Sequence, residues 1–239
     1  MTVGRYLVRC LEEAGLKHVF GVPGDYILGF YDLLYRSPLT VIGTCTEMGA
    51  GYAADAYARL NGLGAVCITY CVGGLSVLNA VAQAYAEESP LIVISGSPGI
   101  NERVRSPFLH HRVKEFDTQL RVFKEVTVCA EVIQDTANAP GQIRRAIAMC
   151  QRHKRPVYIE LPRDVPSQPV KGLTCAREEP AERLGLPSAA TLLGKSVISE
   201  WYPQYIDICE GVMRREGSDL ELYRAVETPI CCGTTETAG

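Results

Sequence analysis

The sequence has no long hydrophobic run and no block of like charge. Its 239 residues carry 24 lysines and arginines against 27 acids, a formal net charge of -3. A membrane-spanning helix needs about 18 consecutive apolar residues, and nucleic-acid-binding proteins cluster Lys and Arg on one surface. Residues 1–18 also lack the apolar core of a signal peptide. We therefore expect a cytoplasmic protein that binds small molecules or other protein chains, without a membrane or a nucleic acid as partner.

Common metal-binding and phosphate-binding motifs are also missing. Ten cysteines are present, but none forms a Cys-x-x-Cys pair or a His/Cys ligand pattern, which excludes the usual structural zinc sites. Several cysteines lie inside apolar runs, as expected for reduced thiols. Neither G-x-G-x-x-G nor G-x-x-x-x-G-K-[ST] occurs, so the familiar phosphate-cradling loops are excluded. These patterns predict no metal ligand in the chain.

Strand-like and helical segments alternate along the sequence. Apolar runs typical of strands buried on both faces lie at residues 65–70, 90–95 and 156–161, and further strand-like runs lie at 18–22, 40–45 and 125–132. Amphipathic helical stretches separate these runs. Because strands that alternate with helices form βαβ units, we predict an α/β fold, a doubly wound parallel sheet with helices on both faces.

The alternating pattern is complete by residue 165. We therefore predict one domain at residues 1–165, a linker at 166–186, and a poorly defined C-terminal tail at 187–239. The tail has no clear pattern of buried strands. Because residues 166–239 bury too little apolar surface for a core of their own, we expect them to be loosely packed and easily cleaved by proteases.

The segment from Thr46 to Arg59 has unusually small side chains for a helix. Thr46 is a predicted N-cap and Glu47 the first helical residue. Gly49 and Gly51 each cost about 1 kcal/mol relative to alanine in a helix interior, so we expect the first turns to lie very close to another backbone. On spacing alone, Glu47 fits an acid favoured by the helix dipole better than a catalytic carboxylate.

Several polar or glycine-rich features follow the predicted strands directly. They are Asp25, Glu47, the pair Gly73-Gly74, and the long aperiodic segment 98–109 that ends at His110-His111. Each has an ordinary explanation: the aspartate caps a helix, the glycines form a tight turn, and the histidines are solvated loop residues. Two adjacent histidines could instead carry protons near neutral pH. In parallel sheets, however, ligands bind beyond the carboxyl ends of the strands. The common location of these features favours a ligand site.

Five runs of the sequence resemble one known family. They are His18-Val-Phe-Gly-Val-Pro-Gly-Asp25-Tyr26, Thr46-Glu-Met-Gly-Ala-Gly-Tyr-Ala-Ala-Asp-Ala-Tyr-Ala-Arg59, Thr69-Tyr-Cys-Val-Gly-Gly-Leu-Ser76, Ala84-Tyr-Ala-Glu-Glu-Ser-Pro90 and Leu109-His-His111. Together, over about residues 1–165, they resemble the N-terminal pyrimidine-binding domain of thiamine-diphosphate-dependent 2-oxo acid decarboxylases, most of all the pyruvate and indolepyruvate branch. The resemblance implies a lyase that converts such a 2-oxo acid to an aldehyde.

The resemblance also implies roles for individual residues. Glu47 is expected to hydrogen-bond N1′ of the cofactor's aminopyrimidine ring. Proton transfer around the reacting carbon is expected of Asp25, His110 and His111, and contact with the pyrimidine of Pro23, Gly24 and Val72. The implied cofactors are thiamine diphosphate and Mg²⁺. In the family, Mg²⁺ is held by a Gly-Asp-Gly run and a downstream Asn in a diphosphate-binding domain, and this sequence has no such run.

The sequence departs from the family pattern beyond its first domain. Residues 191–211 resemble an interior piece of the family's middle domain, and most of the βα core that should precede them is missing. We therefore expect a truncated or internally deleted chain that is inactive alone. The resemblance implies a homodimer or tetramer for the full-length enzyme. The alternative function is a non-catalytic remnant or partner subunit that associates through the family dimer face.

Overall fold

The computed structural model describes residues 1–105 and 108–171, together with two short strands further along the chain. The chain divides into two compact units, Met1–Cys175 and Ala176–Gly239. In the second unit, the strands Ser188–Ala190 and Tyr205–Ile208 pair in parallel. The expected loose packing of residues 166–239 concerns segments that lie largely outside the described residues. Among the residues described, no helix is long and apolar enough to cross a membrane.

The first unit is built on a six-stranded sheet in which every pairing is parallel. The strands are β1 His18–Gly21, β2 Thr40–Gly43, β3 Gly64–Ile68, β4 Leu91–Ser97, β5 Cys129–Val132 and β6 Val157–Pro162. Their order across the sheet is β2-β1-β3-β4-β6-β5. This arrangement confirms the predicted doubly wound α/β fold.

Helices cover both faces of this sheet. They are α1 Val3–Glu13, α2 Leu28–Tyr35, α3 Glu47–Asn61, α4 Val72–Ala86, α5 Ile100–Arg105, α6 Thr118–Lys124 and α7 Ala139–His153. Successive residues of β3 belong alternately to two hydrophobic clusters: Cys67 packs with α1, α2 and α7, whereas Val66 packs with α3, α4 and α6. Because side chains alternate between the faces of a strand, the sheet has one core on each side.

Two segments differ from the sequence-based expectation. The segment predicted to be aperiodic, 98–109, contains the short helix α5, whose first backbone N–H at Ile100 donates to the carboxylate of Asp164 at 3.0 Å. The predicted strand at 125–132 begins only at Cys129, because α6 extends to Lys124 and residue Glu125 caps its end. Both helices are too short to show a clear helical period in the sequence.

Helix α3 begins at the predicted N-cap. The hydroxyl of Thr46 accepts the N–H of Gly49 at 3.1 Å, and Gly62 ends the helix with a φ of 82°. The predicted close approach occurs at Gly51, where a Cβ would lie 2.5 Å from Cγ2 of Val77 on α4. The neighbour is therefore mainly side chains of another helix, not a backbone. Gly49 meets only its own cap oxygen, so the expectation was wrong for that residue.

Candidate functional site

The edge formed by the carboxyl ends of the strands brings the predicted site residues together. Asp25 follows β1, Glu47 follows β2 and Val72 follows β3. These three strands are neighbours in the sheet, in the order β2-β1-β3. Because all pairings are parallel, the segments that follow these strands leave the sheet at the same edge. Their predicted roles depend on the contacts that each side chain makes at this edge.

Glu47 is the first residue of α3, and its half-buried side chain lies against the start of α4. A Cβ placed on Gly73 would be 3.2 Å from Oε1 of Glu47. Within the described part of the chain, this carboxylate makes no hydrogen bond or ion pair, whereas most other acids of the domain have a partner. A half-buried carboxylate without a partner is an available hydrogen-bond acceptor for a ligand.

Thr69, which follows β3, separates the Pro-Gly-Asp loop from the start of α4. A Cβ on Gly24 would lie 2.4 Å from Cβ of Thr69, and one on Gly73 would lie 3.0 Å from its Cγ2. The Thr69 hydroxyl is buried and has no hydrogen-bond partner among the described residues. A side chain at either glycine would press on Thr69, so the two glycines let the loop and the helix approach it closely.

The glycine pair that follows β3 does not serve as a tight turn, contrary to one reading of the sequence. Gly73 and Gly74 lie in the first turn of α4, and the positive φ of 41° falls on the preceding Cys71. Such a φ is costly for a residue with a side chain. Cys71 is fully buried against Tyr26 and Tyr70, and this packing holds it in place. Burial also raises the pKa of its thiol.

Asp25 contacts the histidine pair instead of capping a helix. Within the described part of the chain, no side-chain hydrogen bond caps the start of α2, whose N-cap is Ile27. Oδ2 of Asp25 lies 2.7 Å from Nε2 of His110, and the rings of His110 and His111 are 4.8 Å apart. The predicted helix-cap alternative for Asp25 is therefore wrong. The structure places the three candidate proton carriers in one cluster.

Two buried tyrosines hold the segment that carries the histidines. The hydroxyl of Tyr26 donates to the carbonyl of His110 at 3.0 Å, and the hydroxyl of Tyr70 donates to the carbonyl of Phe116 at 2.9 Å. Burial raises the pKa of both tyrosines, so both remain protonated donors at neutral pH. Sequence reasoning gave neither residue a role, although each adjoins a predicted site segment.

A chain of buried polar side chains at the carboxyl ends of β4 and β6 was also missed. Glu160 is fully buried and forms an ion pair with Arg103 of α5. The Tyr158 hydroxyl donates to Glu160 at 2.6 Å, and the Gln119 amide donates to Ser95 at 2.7 Å. A visible signal existed, because an acid inside the apolar run 157–161 needs a buried partner. Through Arg103, this network of polar side chains attaches α5 to the sheet. Helix α5 precedes the histidine pair in the sequence.

The three remaining predicted site residues, Pro23, Gly24 and Val72, lie at the same edge of the sheet. Pro23 is exposed in the loop after β1, and Gly24 packs on Thr69. Val72 begins α4 with 46% of its surface exposed. An exposed apolar residue at this edge is suited to contact with a flat ring.

Comparison with known proteins places these residues in a family. Residues 1–120 match the family described as "Thiamine pyrophosphate enzyme, N-terminal TPP binding domain". Over 171 residues the chain is 45% identical to pyruvate decarboxylase 2 of Nicotiana tabacum, covering 70% of this chain and 28% of that protein. Over 163 residues it is 46% identical to pyruvate decarboxylase 1 of Arabidopsis thaliana, covering 67% of this chain and 27% of that protein.

The matched region contains every predicted site residue, because all of them lie before residue 112. The chain spans less than a third of the length of these curated relatives. The parallel sheet, the site edge and the matched region therefore describe the same part of the molecule. The chain belongs to the thiamine pyrophosphate enzyme family through its N-terminal TPP binding domain.

Proposed function

We propose that this chain carries the pyrimidine-binding half of a thiamine-diphosphate site that decarboxylates a 2-oxo acid of the pyruvate or indolepyruvate type to an aldehyde. The observation that carries the proposal is the half-buried carboxylate of Glu47 beside the start of α4, which has no partner among the residues that the structure describes. The relatives named pyruvate decarboxylase support the reaction class.

The residues present fit the pyrimidine part of the cofactor. Glu47 offers an acceptor for a ring N–H, and the buried Thr69 hydroxyl has no hydrogen-bond partner among the described residues. Gly24 and Gly73, which pack on Thr69, add no side chain there, while Pro23, Gly24 and Val72 would line the ring. When bound, thiamine diphosphate supplies a nucleophilic carbon and an electron sink for loss of carbon dioxide.

Glu47 is placed to hold a proton between its carboxylate and a ring nitrogen. Because its side chain is half-buried, that hydrogen bond is stronger than it would be in water. A carboxylate at the start of a helix is also stabilised by the helix dipole. Glu47 would therefore orient the ring and control the protonation of one ring nitrogen.

Asp25, His110 and His111 are proposed to transfer protons at the same edge. Histidine exchanges protons readily near neutral pH, and the hydrogen bond between the Asp25 carboxylate and Nε2 of His110 orients the outer imidazole. The tyrosine bonds to the carbonyls of His110 and Phe116 hold the backbone of the loop that carries both imidazoles. Such a cluster can deliver a proton to a product carbon and remove one from a product hydroxyl.

The division of the chain stays a proposal: residues 1–165 as the cofactor domain, 166–186 as a linker and 187–239 as a middle-domain remnant. We also propose that the diphosphate and Mg²⁺ are held by another domain, that the full-length enzyme is a homodimer or tetramer, and that this chain alone releases no aldehyde. Much of the cofactor's charge lies on its diphosphate, which favours a division of binding between two domains.

A chimeric enzyme tests the function directly. Residues 1–171 of this chain would replace the matching segment of the tobacco pyruvate decarboxylase, and aldehyde release from pyruvate and indolepyruvate would be measured. We expect activity with at least one substrate, and losses of about 10²-fold or more in kcat for Asp25→Asn, His110→Gln and His111→Gln. Asp32→Asn, an exposed change on α2, is the control. A folded but inactive chimera would instead support the non-catalytic alternative.

A further inference from the structure

We propose that Asp25, His110 and His111 form a binding site for a divalent transition-metal ion of the Zn²⁺ type, and that the bound ion blocks proton transfer at this edge. The ligand atoms of the three side chains all lie within 4.8 Å of one another. Two of them, Oδ2 of Asp25 and Nε2 of His110, are 2.7 Å apart. The inhibition rests on the proposed function, whereas the metal binding does not.

The chemistry of the ligand set selects the class of ion. Two imidazoles and one carboxylate suit Zn²⁺, Co²⁺, Ni²⁺ or Cu²⁺, whereas Mg²⁺ and Ca²⁺ prefer oxygen ligands alone. Zn²⁺ binds such atoms at about 2.0–2.2 Å, and three protein ligands leave a fourth position open. The cofactor's own Mg²⁺ is therefore a poor competitor for this site.

The side chains need only a small adjustment to surround an ion. Tetrahedral ligand atoms at those bond lengths are about 3.3 Å apart, so the Asp25–His110 pair must separate slightly and His111 must approach. The side chains of His110 and Asp25 are 60% and 39% exposed, so both have room for this small shift. The half-buried His111 is the least mobile of the three ligands.

The surroundings of the cluster favour a ligand there. Nδ1 of His111 is buried and has no hydrogen-bond partner among the described residues. The backbone of His111 has a φ of 63°, an uncommon value for a residue with a side chain. The ring of Tyr26 stacks on His110 at 5.1 Å, and its hydroxyl holds the backbone of the same residue. The histidine pair is thus held through the backbone of His110, and a bound ion would take the place of the bond between Nε2 of His110 and Asp25.

Metal binding and proton transfer exclude each other at this cluster. An imidazole nitrogen that donates its lone pair to a metal ion cannot accept a proton, and the ion also replaces the bond between Asp25 and His110. No electron is transferred and no covalent bond breaks; any proton on a ligating atom leaves to solvent. Free Zn²⁺ would therefore inhibit the enzyme reversibly.

Cobalt absorption and zinc calorimetry on the complete chain test the binding. Cys45, Cys231 and Cys232 would be replaced by serine to remove competing thiols. We expect one Co²⁺ per chain with visible absorption bands, displacement of Co²⁺ by Zn²⁺, and no displacement by millimolar Mg²⁺. His110→Gln and His111→Gln should each weaken Zn²⁺ binding about 30-fold or more, and the control His153→Gln, on α7, should not.

The outcomes separate the two parts of the proposal. Binding unaffected by either histidine substitution, in variants whose circular dichroism shows a native fold, would overturn the site. Shifts of the ring protons of His110 and His111 on adding Zn²⁺, seen by NMR, would support it independently of any activity. In the active chimera, Zn²⁺ should inhibit at its binding concentration and a chelator should restore the rate. Binding without inhibition would overturn the regulatory role alone.

Discussion

Glu160 illustrates how one buried charge determines the surroundings of the site. It lies near the carboxyl end of β6 with no exposed surface, and Arg103 and the Tyr158 hydroxyl satisfy its carboxylate. Burial, followed by the negative charge of Glu160, raises the pKa of Tyr158 far above its usual range. Tyr158 therefore stays a hydrogen-bond donor. Removing one member of such a set leaves the others buried without a partner.

Glu160→Gln should lower the free energy of unfolding by about 3 kcal/mol, because it leaves the Arg103 guanidinium uncompensated in a mostly buried position. The matched control is Arg36→Gln, which breaks the exposed pair with Asp32 on α2 and should cost less than about 0.5 kcal/mol. Urea unfolding of both variants measures the difference. Equal losses would show that the buried ion pair contributes no more than an exposed one.

Glu102 should make stability depend on acid pH. Its burial opposes ionisation, but the hydrogen bonds from Arg163 and from the Gly99 N–H, together with the charge of Arg163, outweigh burial and lower the pKa of the carboxyl. Its stabilisation is therefore present above the unfolded-state pKa of about 4.3 and is lost as the pH falls through the lower folded-state value. The thermal midpoint should fall more steeply below about pH 4.5 in the wild type than in Glu102→Gln. Parallel curves for the two proteins would contradict this assignment.

At the scale of elements, the packing of α3 on α4 determines the distance between Glu47 and the start of α4. Gly51→Ala would place a methyl group 2.5 Å from Val77 and 2.7 Å from Ala80, and should destabilise the fold by about 1–3 kcal/mol through overpacking. Gly29→Ala, on α2, meets no atom within 4 Å and should be neutral or stabilising by up to about 1 kcal/mol. Thermal unfolding compares the two variants. Stabilisation by both would show that the helices separate easily.

The sequence predicted most of the elements, for a physical reason. Continuous apolar runs such as 65–70 and 90–95 identify strands buried on both faces, and parallel topology then implies that their ends share one edge. Helices α5 and α6 were missed because they are short and depend on distant contacts, such as the bond from Ile100 to Asp164. Such contacts join residues far apart in the sequence, so a local sequence pattern does not reveal them.

Prediction of the candidate site was limited in the same way. The position of Glu47 followed from its place at a helix start, but the contact of Asp25 with His110 spans 85 positions in the chain. Helix capping, a local interaction, was therefore the favoured explanation of Asp25 from the residues alone. The strained Cys71 also depends on tertiary packing, and nothing in its neighbours indicated a positive φ. Resemblance to a family supplied what local pattern omitted.

At the scale of the whole molecule, the matched segment is a small part of its relatives, 27–28% of their length. The proposed division of the site between domains would leave the polar atoms of Glu47 and Thr69 unsatisfied within the described part of this chain. In that proposal the ring-binding carboxylate lies here and the charged end of the cofactor is held elsewhere.

The most direct test is the rate of aldehyde release by the chimera carrying Glu47→Gln. The amide keeps the size of the side chain but cannot share a proton with a ring nitrogen in the same way, so we expect kcat to fall by about 10²-fold or more. Glu125→Gln, an exposed change after α6, should leave the rate unchanged. A folded Glu47→Gln chimera that decarboxylates as fast as the unsubstituted one would contradict the assignment of Glu47 to the cofactor.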